Sequence, residues 1–189
     1  PRPAIFLGHS FGAALVSAVA AIRPEWVSQL VLVAPMYDFN STSPWTRLFR
    51  VPFIGEVAMR FIGMPALIRR RRRRYAHIGR PHLTQRFIEQ VADAGFDRGL
   101  ISMIRTAALG DQGPRYSGLR DVDREMLVIT GEDDATIPAE HIARVRALLP
   151  THAHCSLKAE HNLLLTHPEV VTAALVEWLG AGPSAPARA

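Results

Sequence analysis

Two apolar runs open the chain. Ala4-Ile5-Phe6-Leu7 is stopped by Gly8, and Leu30-Val31-Leu32-Val33-Ala34 is stopped by Pro35. Short continuous apolar runs without polar alternation predict strands covered on both faces, as in parallel sheets. Between them, Phe11 to Ile22 is small and apolar, with no proline until Pro24, which predicts a helix. Strand, helix and strand in such close succession form a parallel βαβ crossover.

The rhythm returns near the end. Met126-Leu127-Val128-Ile129-Thr130 is a strand closed by Gly131, and Pro138 to Leu149 is a helix with proline at its start. His154 to Lys158 predicts a short strand, and Pro168 to Leu179 an amphipathic closing helix. Between the halves, apolar residues fall at helical spacing: Phe49, Phe53, Val57 and Phe61, then Phe87, Ile88 and Val91, then Leu100, Met103 and Ile104. The expected organisation is a core segment over 1–37, an insertion of about four short helices over 38–124, and core again over 125–180. A small, Pro-rich, disordered tail is expected over 181–189.

Gly8-His9-Ser10-Phe11-Gly12 follows the first strand and opens the first helix, and it matches G-x-S-x-G. In that context the turn is sharp, and side chains at either glycine are expected to clash with the neighbouring strand and helix. Ser10 then stands at the carboxyl end of the sheet over a helix N-terminus. There the Phe11 N–H and the helix dipole face a developing oxyanion. A serine needs a base to act as a nucleophile. Among eight histidines, His161 is the candidate, because it stands just after the last strand, on the same edge as Ser10. His9 fills the variable elbow position, and His152 and His154 have strand spacing but no convincing third metal ligand. The acid that orients the base is expected in Gly131-Glu132-Asp133-Asp134. Asp134 is preferred, with Asp133 beside it and Asp38 after the second strand as alternatives. The same acidic stretch would also suit a helix cap.

GHSFG after a strand, GEDDATIP after the penultimate strand and EHNLLLTHPEVV after the last resemble the α/β-hydrolase superfamily. The order Ser10, Asp134, His161 is also that superfamily's order. The resemblance implies the α/β-hydrolase fold, a mostly parallel, doubly wound sheet with strands five to eight present and a helical cap as the insertion. Pro52-Phe53-Ile54-Gly55-Glu56 and Arg98-Gly99-Leu100-Ile101-Ser102-Met103-Ile104-Arg105 look most similar to the esterase, monoacylglycerol-lipase-like and C–C hydrolase branch. It further implies a serine hydrolase of carboxylic esters with medium or lipophilic acyl groups. The alternatives are a C–C bond hydrolase of a vinylogous keto acid with the same triad, and a non-catalytic interaction module. An aspartate nucleophile, as in epoxide hydrolases and haloalkane dehalogenases, is disfavoured by Ser10. Members usually carry four strands before the nucleophile strand and a second oxyanion donor after the third. The chain is therefore expected to be a C-terminal fragment, poorly soluble and nearly inactive alone.

Composition adds bounds. The chain has 189 residues and a formal charge of +5, with hydrophobic residues at 48% and charged residues at 21%, which excludes disordered and collagen-like classes. Cys155 is the only cysteine, so an internal disulfide is excluded and a cytoplasmic location is expected. Lys158 is the only lysine. Arg69, Arg70, Arg71, Arg72, Arg73 and Arg74 are consecutive, and such a run needs solvent, acidic partners or anions. The expectation is a solvated face of the insertion, with weak association to an anionic membrane surface as the partner it suits and nucleic acid disfavoured. Trp45, Phe49, Phe53, Phe61, Met64 and Leu67 are candidates to roof an acyl pocket. With no phosphate cradle, metal cluster or dinucleotide fingerprint, no cofactor is expected.

Overall fold

The computed structural model describes residues 2–42, 45–93 and 95–181. Four strands form one parallel sheet in the order β1-β2-β3-β4: β1 (Ala4–His9), β2 (Val27–Val33), β3 (Glu125–Gly131) and β4 (Ala153–Leu157). Both inner strands bury both faces, as their unbroken apolar sequences predict. Leu30 and Leu32 of β2 with Met126 and Val128 of β3 join one core cluster, and Val31 and Val33 with Leu127 and Ile129 join the other.

Helices cover both faces. Helix α1 (Phe11–Ile22) sets Ala13, Ala14 and Ala20 into the first cluster, where small side chains let helix and sheet approach closely. The helices Gly113–Ser117 and Ala139–Leu148 add Tyr116 and Val145 to the same cluster. On the opposite face, Leu163–Thr166 and Pro168–Gly180 supply Leu163 and Val171. Pro168 opens the closing helix, where its missing N–H costs nothing.

The chain divides into two compact units, one of residues 1–42 with 111–189 and the other of residues 43–110. The helical unit is thus narrower than the 38–124 read from the sequence. Residues 111–124 belong to the sheet-bearing unit because Tyr116, Leu119 and Val122 are buried in its core, and the Tyr116 hydroxyl donates to the Met36 carbonyl at 2.9 Å. Polar and basic residues around these three positions masked that role in the sequence. Residues 182–189 of the expected tail lie outside the described residues.

Within the helical unit, Ile54–Ala58, a π-helical turn Met59–Gly63 and Met64–His77 run on as one helical stretch. It is accompanied by the helices Trp45–Arg50, Leu83–Ala92 and Phe96–Arg105. Arg105 clasps Glu56 in a fork, Nη1 to Oε1 at 2.5 Å and Nη2 to Oε2 at 2.8 Å, and also donates to the Val51 carbonyl. The guanidinium beside it holds the Glu56 carboxyl down at about 2. Arg69, Arg70, Arg72 and Arg73 are exposed, while Arg71 lies 5.6 Å from the Phe87 ring centroid. Of the candidate acyl-pocket residues, Met64 is buried, Phe53 and Phe61 are exposed, and the Trp45 side chain lies outside the described residues. Among the described residues no helix is long and apolar enough to cross a membrane.

Candidate active site

Parallel strands bring every carboxyl end to one edge of the sheet, and the loops leaving β1, β3 and β4 each contribute one polar side chain there. At the end of β1 the chain turns directly into α1 through Ser10, which takes φ 56° and ψ −119°. Three backbone hydrogen bonds hold that turn. The Ser10 N–H donates to the Val33 carbonyl at 2.9 Å, and the Ser10 carbonyl accepts from Ala13 at 3.1 Å and Met36 at 3.2 Å.

The two glycines of the elbow are not equivalent. A Cβ on Gly8 would sit 2.3 Å from the Gly12 carbonyl oxygen and 2.7 Å from the Ala13 Cα, so the strand can meet the helix only through glycine. A Cβ on Gly12 would meet nothing within 4 Å, which corrects the expectation of a clash on both sides.

The loop after β3 carries Asp134, whose two carboxylate oxygens do separate work. Oδ1 accepts the N–H groups of Thr136 at 2.7 Å and Ile137 at 3.0 Å, an Asx-type turn ahead of the next helix. Oδ2 accepts from His161 Nδ1 at 2.8 Å. Asp134 thus holds its own turn with one oxygen and the His161 ring with the other, while the helix Ala139–Leu148 that follows has no side-chain cap. Burial alone would raise the Asp134 carboxyl. The hydrogen bond and charge of His161, with the Ile137 and Thr136 N–H groups, outweigh it and leave the carboxyl below its ordinary range. Asp133 points to solvent, and the Asp38 carboxylate accepts from the Ser41 N–H at 3.1 Å in a turn of its own.

His161 lies in the turn between β4 and Leu163–Thr166, anchored two residues on by the fully buried Leu163. Its side chain is only 9% exposed, and Nε2 is 3.0 Å from Ser10 Oγ. Ser10, His161 and Asp134 thus form one continuous hydrogen-bonded chain, with the imidazole between hydroxyl and carboxylate. Phe11 is the first residue of α1, so its N–H is one of the four that have no acceptor within the helix. The loops that carry Asp134 and His161 are tied together by Asp133 N–H to the Ala159 carbonyl at 3.1 Å. Gly131 makes this approach possible, since a Cβ there would lie 2.3 Å from the same carbonyl oxygen.

Two features escaped the sequence. His9 donates from Nε2 to the His161 carbonyl at 2.8 Å, a contact between residues 152 positions apart. Ala34, at the end of β2, takes φ 43° while its N–H donates to the Ile129 carbonyl at 2.8 Å. No local signal marks either one. His152 and His154 separate, His152 to the Pro150 carbonyl and His154 to the Thr130 hydroxyl. Among the described residues no three His, Cys, Asp or Glu side chains gather as a metal site.

Comparison with known proteins agrees with this architecture. The model of the alpha/beta hydrolase family matches residues 1–174. No curated protein matches in sequence. The chain is similar in structure to the enol-lactonase from Burkholderia xenovorans LB400, at 21% identity and a TM-score of 0.69, over 95% of this chain and 66% of that one. It is also similar to MGS-M2, an alpha/beta hydrolase from a Medee basin deep-sea metagenome, at 18% identity and a TM-score of 0.70, over 97% and 67%. The meta-cleavage product hydrolase CumD from Pseudomonas fluorescens IP01 aligns at 17% identity with a TM-score of 0.66, over 96% and 66%. The chain thus spans about two thirds of the length of these structures. With the match running from β1 into the closing helix, the chain belongs to the alpha/beta hydrolase family.

Proposed function

We propose that the protein is a serine hydrolase of carboxylic esters with a medium or lipophilic acyl part. The observation that carries this reading is the Ser10–His161–Asp134 hydrogen-bonded chain at 3.0 and 2.8 Å. Ser10 Oγ attacks the ester carbonyl as His161 Nε2 takes its proton, and Asp134 stabilises the imidazolium that results. The Phe11 N–H and the N-terminus of α1 supply one contact to the oxyanion. His161 then returns the proton to the leaving alcohol, and water, deprotonated by the same imidazole, releases the acid from Ser10. The helical unit of residues 43–110 is proposed as the cap, and its exposed Phe53 and Phe61 support a lipophilic preference.

The test is a p-nitrophenyl ester series from acetate to palmitate on the full-length protein, with Ser10→Ala as control. Turnover is expected to fall by several orders of magnitude in the control, and the preferred chain length sizes the acyl site. A folded protein that neither turns over an ester nor is labelled at Ser10 by a fluorophosphonate would be a non-catalytic module. Labelling without ester turnover would move the reading to C–C bond hydrolysis of a vinylogous keto acid, which uses the same three residues.

The partner proposed for the arginine run is an anionic membrane surface, bound weakly. Arg69, Arg70, Arg72 and Arg73 are exposed on the same helical stretch that exposes Val57 and Phe61. Cationic and apolar groups exposed along one helical stretch would complement phosphate headgroups over acyl chains.

A further inference from the structure

We infer that His9 is a positioning residue for the base: its imidazole holds the main chain of His161 while Ser10, the next residue, receives the side chain. The inference rests on the serine-hydrolase reading above.

Topology creates the need. β1 and β4 are the two edges of the four-stranded sheet, so Ser10 and His161 leave strands that are three inter-strand spacings apart. That is roughly 14 Å in the hydrogen-bonding direction. The loop after β4 must therefore cross the carboxyl end of β3 and β2 to reach the nucleophile. Its near half is fixed by β3, through the Asp133 N–H to Ala159 carbonyl bond and the close packing of Gly131. Its far half, where the imidazole hangs, meets the β1 turn at two points. One is His161 Nε2 to Ser10 Oγ, and the other is His9 Nε2 to the His161 carbonyl at 2.8 Å.

The second point differs in kind from the first. Hydrogen bonding at Ser10 Oγ must break and re-form in each catalytic cycle, as the hydroxyl gives up its proton and becomes an ester oxygen. A main-chain carbonyl has no such duty, so the His9 bond persists through every step. A carbonyl oxygen only accepts, which places a proton on His9 Nε2. The two imidazole rings lie 5.0 Å apart between centroids and are tilted by 42°, so His9 also packs one side of the base. An imidazole whose main chain drifts loses alignment with both Ser10 Oγ and Asp134 Oδ2, and a displacement of about 1 Å costs up to roughly 100-fold in rate. The middle position of the elbow, tolerant of many residues as far as the turn itself is concerned, here acts on the base.

The experiment compares wild type, His9→Phe and His9→Gln in the full-length protein. Phe keeps an aromatic ring without a donor, and Gln presents an N–H at nearly the reach of Nε2. The readouts are the second-order rate of fluorophosphonate labelling at Ser10, kcat and KM on the best p-nitrophenyl ester, and the melting temperature. Expected for His9→Phe is a drop of about 10- to 100-fold in labelling and in kcat with KM within about twofold, and recovery of most of that loss in His9→Gln. Wild-type labelling in His9→Phe would overturn the inference, as would a loss confined to KM or a His9→Gln variant no better than His9→Phe. Where His9→Phe does not fold, His9→Leu takes its place against His9→Gln under the same criteria. An unlabelled wild-type protein would instead overturn the serine-hydrolase reading itself.

Discussion

A side chain at positive φ is strained by about 1–3 kcal/mol, and Ser10 sits at φ 56° because its neighbours leave it no alternative. The bonds to Val33, Ala13 and Met36 fix both of its peptide groups, and Gly8 lets the strand run under the helix within van der Waals reach. The motif G-x-S-x-G made this turn legible from the sequence, yet the motif treats its glycines alike and the structure does not. Gly8→Ala is expected to destabilise by about 1–3 kcal/mol or more, the range for forcing atoms into a filled space. Gly12→Ala is expected to stabilise by about 0.4–1 kcal/mol, since its Cβ meets nothing and alanine loses less chain entropy in a helix. Chemical denaturation of the two variants checks both signs. Asp134 illustrates the opposite case. Neighbouring acidic residues cannot be ranked by spacing, and only the fold shows that Asp134 turns inward while Asp133 faces solvent.

At the scale of elements, apolar runs predict β1, β2 and β3, and the two inner strands, buried on both faces, need such unbroken hydrophobic stretches. Polar and basic residues surround Tyr116, Leu119 and Val122, so residues 111–124 resemble the helical insertion in sequence although they belong to the sheet-bearing unit. The pairing of Glu56 with Arg105 had no local signal either, since the two residues lie 49 positions apart. Their segments are separate stretches of sequence, and the structure joins them. Gly55 permits the junction, as a Cβ there would be 2.3 Å from the Phe49 carbonyl oxygen and 3.0 Å from Arg105 Nη2. The Glu56 carboxyl ionises at about 2 when folded, against an ordinary 4.5. A depressed folded value means that the pair stabilises above the ordinary range and that this support fades as pH falls toward about 2. Glu56→Gln is expected to remove that acid-dependent loss, and amide exchange across Phe96–Arg105 measured on both proteins down that pH range reads it. Because both side chains are partly solvated, the effect is expected to be modest and to shrink further with salt.

At the scale of the molecule, two compact units share one chain. The helical unit exposes Phe53, Ile54, Val57 and Phe61 along with the four arginines. Sedimentation with phosphatidylserine vesicles is expected to bring the protein down at low salt, and phosphatidylcholine vesicles to leave it in solution. Each arginine near an anionic surface contributes about 1 kcal/mol, so replacing Arg69, Arg70, Arg72 and Arg73 with glutamine is expected to abolish the binding. Association that ignores added salt would contradict the electrostatic origin.

The sequence by itself determined the strands, the elbow, the order of the three polar residues and the superfamily. These are properties of short segments, set by hydrophobic period, turn chemistry and spacing. Tertiary structure alone decided which carboxylate meets His161, that Gly8 rather than Gly12 is sterically required, and that Glu56 finds Arg105. It also decided that His9 grips the His161 main chain. Each of these joins groups brought together by the sheet, a helix packing or a loop crossing. The local chain carries no energy term for a partner it meets only when folded.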